Sequence, residues 1–177
     1  MVESCRMPRR LTLLDTRMLR EPKNNGRPLR QQPSSHFFTL GYQNLSARSL
    51  LEILRSNRVQ ILIDVRRNAL SRKPGFSRQA LETTLTKAGI EYVHLPNLGT
   101  PPSIRNYYCR VGNVELALEQ YGQYISSRKN ELKLLMDMVT SRTYCLLCLE
   151  SDPRRCHRSV LAGELEKLTK CRATHLQ

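Results

Sequence analysis

Short apolar segments alternate with amphipathic segments along residues 36–177, whereas residues 1–35 show no such order. Four apolar segments of four to six residues have the composition of buried strands, namely 37–40, 60–65, 91–95 and 144–149, and 172–176 is a candidate fifth strand. A repeated strand, helix, strand order predicts a mostly parallel sheet of about five strands with helices on both faces. We therefore predict an α/β fold, a single Rossmann-like three-layer domain.

Capping residues mark the helix boundaries. Ser46 and Ser77 can each accept a hydrogen bond from the free backbone N–H groups at a helix start. Asn113 and Asp152 can do the same, and Pro153 is tolerated at a first helical position. The predicted helices are 46–56, 77–89, 113–139 with an interruption near 126–127, and 153–169, while 96–113 is predicted to be a turn-rich connection.

Residues 1–35 differ in composition from the rest of the chain. They are rich in Arg, Pro, Asn and Gln and contain few residues able to form a core. We therefore predict a basic, disordered N-terminal extension, followed by one α/β domain over 36–177. Leu11, Leu14 and Met18 can line one face of a short basic helix. Three interpretations stay open: a nucleic-acid-binding arm, an organelle-type targeting segment, or an extension without a role.

The charge balance favours polyanionic partners. The chain has 29 lysines and arginines against 15 acids, a formal charge of +14. Such an excess favours a nucleotide or nucleic acid as partner. No apolar run approaches the ~20 residues of a membrane span, so we expect no membrane partner. The sequence leaves the oligomeric state open.

The six cysteines indicate a reducing compartment. Three of them surround one strand-to-helix junction, and no apolar secretory segment precedes them. This distribution does not resemble a disulfide framework. We therefore expect reduced thiols and a cytoplasmic location.

Polar residues gather where the predicted strands end. The carboxyl ends of parallel strands share one edge of the sheet, which is where open α/β sheets bind ligands. Strand alternation places Asp64 and Arg66 on the same face, and helix periodicity turns His157 towards this edge. The candidate catalytic residues are Asp64, Glu150 and His157, and the candidate ligand-binding residues are Tyr42, Arg66, Ser71, Lys73, His94, Cys156 and Arg158.

Each candidate also has a purely structural interpretation. Asp64 can pair with Arg66 inside the fold, and Glu150 can neutralise Arg158 beside the predicted helix start. Arg158 and Lys73 can hold a phosphate or simply face solvent. The sequence does not decide between these roles.

Cys148 and Arg154 have the spacing of the Cys-X5-Arg loop, in which backbone N–H groups surround an oxyanion and lower the thiol pKa. Here the five intervening residues include two acids, which repel an anion, and Pro153, which lacks an N–H. We therefore do not assign a phosphatase-type loop.

Cys145, Cys148, Cys156 and His157 could supply the four ligands of a zinc ion. However, positions 145 and 148 of a strand point to opposite faces, and neighbours in a helix diverge by about 100°. We therefore assign no metal ligand and no cofactor. The cysteines are expected to pack as small apolar side chains.

Five blocks follow one another between Phe37 and about Leu168: FFTLGY, LIDVRRN, SRKPGFS, GIEYVHLPNLGTP and LLCLESDPRRCHRSVLA. In this order they resemble the domain-of-unknown-function 488 (DUF488) family of bacterial and archaeal proteins. The resemblance implies a compact α/β domain whose polar motifs lie together, and it implies no substrate. The residues on the family's motif positions are Asp64, Arg66, Ser71, Lys73, Gly75, Phe76, His94, Leu98, Gly99, Glu150, Cys156, His157 and Arg158.

The first functional hypothesis is a small enzyme, a hydrolase or transferase, acting on a nucleotide or nucleic acid at the sheet edge. In this hypothesis Arg66, Lys73 and Arg158 hold the phosphate. Asp64 or Glu150 is the general base, and His157 is its acid or positioning partner. Two alternatives remain, a non-catalytic basic module that binds nucleic acid through charge and a structural zinc protein.

Overall fold

The computed structural model describes residues 36–139 and 142–177. The predicted N-terminal extension, 1–35, lies outside the described residues. Five strands are present in the described chain: β1 (His36–Gly41), β2 (Ile61–Asp64), β3 (Glu91–His94), β4 (Tyr144–Cys148) and β5 (Arg172–Leu176). All five lie within two residues of the predicted boundaries.

The strands form one parallel sheet in the order β3-β2-β4-β1-β5. Strand β4 lies at its centre, and all five of its residues are buried. Its neighbours are set in register by pairs such as Gly41 with Cys148 and Asp64 with Leu147. The ends of β1, β2 and β4 therefore meet at one edge, as predicted.

Helices cover both faces of the sheet. Two of them, α1 (Ala47–Ser56) and α2 (Arg78–Lys87), pack on one face. The other face carries α3 (Pro102–Val111), α4 (Val114–Ser126), α5 (Lys129–Val139) and α6 (His157–Thr169). Strand alternation divides the core between the faces: Cys145 and Leu147 of β4 join the first layer, and Leu146 and Cys148 join the second. The predicted three-layer α/β fold is confirmed.

The capping residues act as the sequence indicates. The side chain of Ser46 accepts from the N–H of Ser49 at 3.0 Å, and Ser77 caps α2 in the same way. Asn113 accepts from the N–H of Leu116 at 2.9 Å and begins α4. The predicted helical segment is interrupted after Ser126, as expected, and forms two helices, α4 and α5.

The structure corrects two predictions, one missed helix and one helix start. The connection 96–113 contains the ten-residue helix α3. Pro102 does not prevent this helix, because it occupies the first position, where a proline costs no hydrogen bond. The last helix does not start at Pro153. A 3-10 turn, Pro153–Arg155, is followed by Cys156 in extended conformation, and α6 begins at His157.

Within residues 36–139 and 142–177, no helix has both the length and the apolar character needed to cross a bilayer.

Gly41 permits the close approach of β1 to the segment after β4. A Cβ atom at this position would overlap the carbonyl oxygen of Glu150, which is backbone and cannot swing away. We expect Gly41→Ala to lower the free energy of unfolding by about 3 kcal/mol or more. Urea denaturation of the full-length protein measures this.

Gly163→Ala is the matched control. Gly163 lies inside α6, and a Cβ there meets no atom within 4 Å. Alanine at this position should stabilise the protein by about 0.5–1 kcal/mol through helix propensity. Equal effects of the two substitutions would contradict the packing seen at Gly41.

Candidate functional site

A buried ion pair closes the end of β2. The Arg66 Nε donates to Asp64 Oδ1 at 2.8 Å, and Tyr92 donates its hydroxyl hydrogen to Asp64 Oδ2 at 2.7 Å. Arg66 Nη1 also donates to the Tyr42 hydroxyl at 2.8 Å and to the Phe76 carbonyl at 2.9 Å. Asp64 is fully buried and Arg66 nearly so. Both side chains therefore direct their hydrogen bonds into the protein.

The electrostatics of this pair favour the charged form of Arg66. Burial alone lowers the pKa of Arg66, but the hydrogen bond and charge of Asp64 outweigh burial and raise the pKa above its ordinary value. Burial and the charge of Asp64 raise the pKa of Tyr92, so its hydroxyl stays a donor. With its oxygens already accepting hydrogen bonds, Asp64 is poorly placed to take a substrate proton.

Lys73 ties the loop before α2 to the end of β1. Its Nζ donates to the carbonyls of Tyr42 at 3.1 Å and Gln43 at 2.5 Å. Ser71 accepts from the backbone N–H of Lys73 at 3.2 Å, which makes a local turn. The predicted ligand-binding groups Lys73 and Ser71 are thus engaged within this loop.

Tyr42 and His94 support the same edge. The ring of Tyr42 stacks on Phe76 with a centroid separation of 4.4 Å. The Nε2 atom of His94 lies 2.9 Å from the Arg66 carbonyl oxygen. These contacts orient Arg66 and the backbone around it, and Tyr42 and Arg66 also border the cavity over the site.

Arg158 supports the turn after β4. Its side chain is fully buried and donates to the carbonyls of Glu150 and Ser151, the latter at 3.0 Å, and to the Thr39 hydroxyl at 3.3 Å. These contacts aim its guanidinium at backbone oxygens, away from any external phosphate. The sequence places Arg158 at the edge but does not show this structural role.

Four polar side chains converge in front of this turn: Cys148, Glu150, Cys156 and His157, here called the Cys–Glu–His cluster. Their ligand-type atoms all lie within 4.8 Å of one another. The thiols of Cys148 and Cys156 donate to Glu150 Oε2, with S–O distances of 3.2 and 3.1 Å. The Nδ1 atom of His157 lies 3.7 Å from Cys148 Sγ. These donor types are the ones that hold soft or borderline divalent metals.

The tautomer of His157 is set by the backbone. Its Nε2 atom lies 3.2 Å from the Val65 carbonyl oxygen, which can only accept. Nε2 therefore carries a hydrogen, and in the neutral ring Nδ1 presents a lone pair to the cluster. Tyr121 packs edge-on against the imidazole at 5.0 Å between centroids. The ring is held in one orientation.

The extended conformation of Cys156 brings the cluster together. With φ −129° and ψ 135°, Cys156 lies outside α6, so its side chain and that of His157 need not diverge as helix neighbours do. The assumption that the two residues share a helix was wrong. Cys145 points to the other face of the sheet, as predicted, and Glu150 occupies the fourth place.

Opposite charges are favoured within the cluster. Burial raises the pKa of Glu150, but hydrogen bonds from Cys156, from its own backbone N–H and from Cys148, with the charge of His157, outweigh burial and lower it. Burial lowers the pKa of His157, but contacts with Cys156 and the charge of Glu150 outweigh burial and raise it. Burial raises the pKa of the Cys156 thiol. Glu150 is the anion of the group.

A cavity of about 500 Å³ opens over the cluster. Cys148, Glu150 and His157 border it. Three exposed arginines border it as well, namely Arg67, Arg105 and Arg155. Its lining also includes large apolar side chains that are unusually exposed: Leu70 at 85 %, Leu149 at 43 % and Tyr108 at 37 %. A concave site with an apolar wall and a few polar groups is the usual form of a small-ligand site.

A known protein family matches most of the chain. Residues 46–165 match the family described as domain of unknown function DUF488. The chain belongs to the DUF488 family. No curated protein and no solved structure matches it. The match confirms the family indicated by the sequence blocks, and it spans the elements from α1 to α6 that build the site of this DUF488 domain.

The DUF488 domain does not form a Cys-X5-Arg oxyanion loop. The Arg154 side chain is 89 % exposed and pairs with Asp152 at 3.2 Å. Its guanidinium therefore lies at the surface and does not close a ring of donors around Cys148. The phosphatase-type loop is rejected on structure as it was on sequence.

Helix α3 supplies cavity residues that the sequence analysis missed. Ile104, Arg105 and Tyr108 line the cavity, but they fall in the segment predicted to be a turn-rich connection. The i, i+4 spacing of Ile104 and Tyr108 is a helical signal that the prolines obscured. Arg67 and Arg155 also line the cavity, and they were not among the candidates predicted from the sequence.

Asp64→Asn should destabilise the DUF488 domain by about 3–5 kcal/mol, because it leaves the buried Arg66 charge without its anion. The exposed pair of Arg142 with Glu91, at 2.7 Å, provides the control. Glu91→Gln should cost less than about 1 kcal/mol. Chemical denaturation of both variants measures this. A small effect at Asp64 would show that the pair is not structural.

Proposed function

We propose that this protein is a small enzyme that acts on a nucleotide-like, phosphate-bearing ligand bound in the cavity at the carboxyl edge of the sheet. The observation that carries the proposal is the composition of the cavity. Its lining combines an acid and a histidine with arginines and exposed apolar side chains. A nucleotide has the matching parts, an anionic phosphate and a flat apolar base.

The arginines bordering the cavity are the proposed phosphate ligands. Arg105 and Arg155 are exposed, and neither forms an ion pair with an acid of the described segments, 36–139 and 142–177. Guanidinium groups bind phosphate oxygens in pairs of parallel hydrogen bonds. We therefore propose Arg67, Arg105 and Arg155 as the phosphate ligands. They replace the three cations predicted from the sequence, Arg66, Lys73 and Arg158.

Glu150 and His157 are the proposed proton-transfer groups. Glu150 is the anion of the cluster and borders the cavity. His157 has Nδ1 as its only available ring nitrogen, because Nε2 donates to Val65. A carboxylate next to such a histidine can remove a proton from water or a substrate hydroxyl, which fits hydrolysis or group transfer.

A non-catalytic nucleic-acid-binding module is the second candidate. Residues 36–177 hold 21 of the 29 lysines and arginines and 12 of the 15 acids, so a net charge of +9 belongs to the domain itself. Binding of this kind falls steeply with salt and involves many surface cations. Binding in the cavity depends on few residues and tolerates salt.

The binding test uses thermal shifts of the full-length protein with AMP, ADP, ATP and short single-stranded DNA and RNA at low and moderate salt. A ligand at a hundred times its dissociation constant adds about 2.7 kcal/mol of stability. We expect a salt-tolerant shift from a nucleotide, and Arg105→Ala should weaken its binding by about tenfold or more.

Arg110→Ala is the control for Arg105. Arg110 lies on the same helix and is exposed, but it does not border the cavity. Nucleotide binding by this variant should equal that of the wild type. The nucleic-acid module would be favoured if every polyanion gave a thermal shift that vanished with salt. In that case Arg105→Ala and Arg110→Ala should lose binding affinity equally.

Glu150→Gln should lower turnover of the bound nucleotide by about 10²–10⁴-fold, because glutamine cannot accept the proton. Glu82→Gln, on the exposed side of α2, should leave turnover unchanged. Product release from ATP, ADP and AMP, followed by chromatography, measures this. Unchanged turnover in Glu150→Gln would refute its role.

A further inference from the structure

We propose that the Cys–Glu–His cluster is a binding site for one zinc-class divalent ion. The ligand atoms are Cys148 Sγ, Glu150 Oε2, Cys156 Sγ and His157 Nδ1. This set differs from the one considered from sequence, because Glu150 replaces Cys145. The proposal concerns metal binding itself and stands whether or not the cavity takes a nucleotide.

The spacing of the four atoms fits a tetrahedral ion. Zinc lies about 2.3 Å from sulfur and about 2.0–2.2 Å from nitrogen or oxygen, which places its ligands roughly 3.3–3.8 Å from each other. In the cluster, the Oε2 atom of Glu150 lies 3.2 and 3.1 Å from the two sulfurs, and Cys148 Sγ lies 3.7 Å from His157 Nδ1. All four atoms lie within 4.8 Å of one another. Movements of about an ångström would complete the site.

The histidine is prepared for coordination. Metal-bound histidines usually donate their second ring N–H to a carboxylate or backbone carbonyl, which fixes the tautomer. Here Nε2 faces the Val65 carbonyl at 3.2 Å, and Tyr121 packs against the ring. In the neutral ring the lone pair of Nδ1 is therefore available to the cluster, with Cys148 Sγ 3.7 Å away.

Charge balance also supports the site. Two thiolates and one carboxylate around a divalent ion carry a net charge of −1. The fully buried Arg158 hydrogen-bonds the carbonyls of Glu150 and Ser151. Among the described residues, no acid forms an ion pair with it. A metal-loaded cluster would supply the negative charge that this buried cation lacks.

The donor set selects the kind of ion. Two sulfurs and an imidazole in a tetrahedral arrangement favour zinc, whereas magnesium and calcium require oxygen ligands in larger number. Cys148 and Cys156 are almost fully buried, which protects the thiolates. Three of the ligands, Cys148, Glu150 and His157, border the cavity. An ion here would therefore lie next to any bound ligand, and the proton-transfer roles proposed for Glu150 and His157 belong to the metal-free protein.

The test is a metal titration of the full-length protein after removal of metals with a chelator. We expect one Zn²⁺ per chain with a dissociation constant below about 0.1 µM, measured by competition with a chromophoric chelator. Cobalt should bind in its place and give the intense visible bands of a tetrahedral site, with thiolate-to-cobalt charge transfer. Magnesium should not compete.

Variants identify the ligands. Cys148→Ala, Cys156→Ala and His157→Gln should each weaken zinc binding by more than ~100-fold, the most that loss of an outer-shell partner costs. Cys145→Ala is the matched control, since Cys145 lies on the same strand but faces the opposite layer. Its zinc affinity should equal that of the wild type.

Three results would overturn the proposal. They are no zinc binding at micromolar metal, binding that survives all three ligand substitutions, or equal loss in Cys145→Ala. Should a cysteine variant fail to fold, the wild-type cobalt spectrum still decides. Charge-transfer intensity of two thiolates supports the site, and a spectrum without thiolate bands refutes it. Glu150→Gln, which keeps both thiols and the side-chain shape, should retain these bands with altered visible transitions.

Discussion

The buried ion pair between Asp64 and Arg66 is the interaction on which the edge of the sheet depends. It links the end of β2 to β3 through Tyr92, and to the chain after β1 and the start of α2 through Tyr42 and Phe76. Two buried charges are tolerated only when each satisfies the other and the remaining hydrogen bonds are made. Both conditions are met here. The pair therefore holds in place the segments that contain Tyr42, Phe76 and Tyr92.

The charged residues of the edge divide into two groups. Arg66, Lys73 and Arg158 donate hydrogen bonds to the protein's own carboxylate or carbonyl oxygens. The residues that face the cavity stand on this frame, above all Glu150, whose carbonyl is held by Arg158. The frame orients the cluster, and we propose that the cluster and the outer arginines bind the ligand. Rigid support of this kind is what lets a few polar groups keep a defined geometry.

Sequence reasoning identified the sheet and most helices, because strand composition and capping residues are local signals. It also predicted polar side chains at the carboxyl edge of the sheet, where Glu150 and His157 border the cavity. It missed α3, where the consecutive prolines Pro101 and Pro102 suggested a turn although one of them begins the helix. It also placed Cys156 and His157 in one helix, where their side chains would diverge. The extended conformation of Cys156 was missed because it depends on the turn before it. Which arginines are buried could not be predicted, because that is decided by the packing of distant segments.

The most direct test of the account is a crystal structure of the full-length protein grown with zinc, with diffraction data recorded on both sides of the zinc absorption edge. The account predicts one anomalous peak bounded by Cys148, Glu150, Cys156 and His157, with Asp64 and Arg66 still paired beside it. A peak at other cysteines, or no peak at this edge of the sheet, would contradict the proposal that the cluster binds zinc.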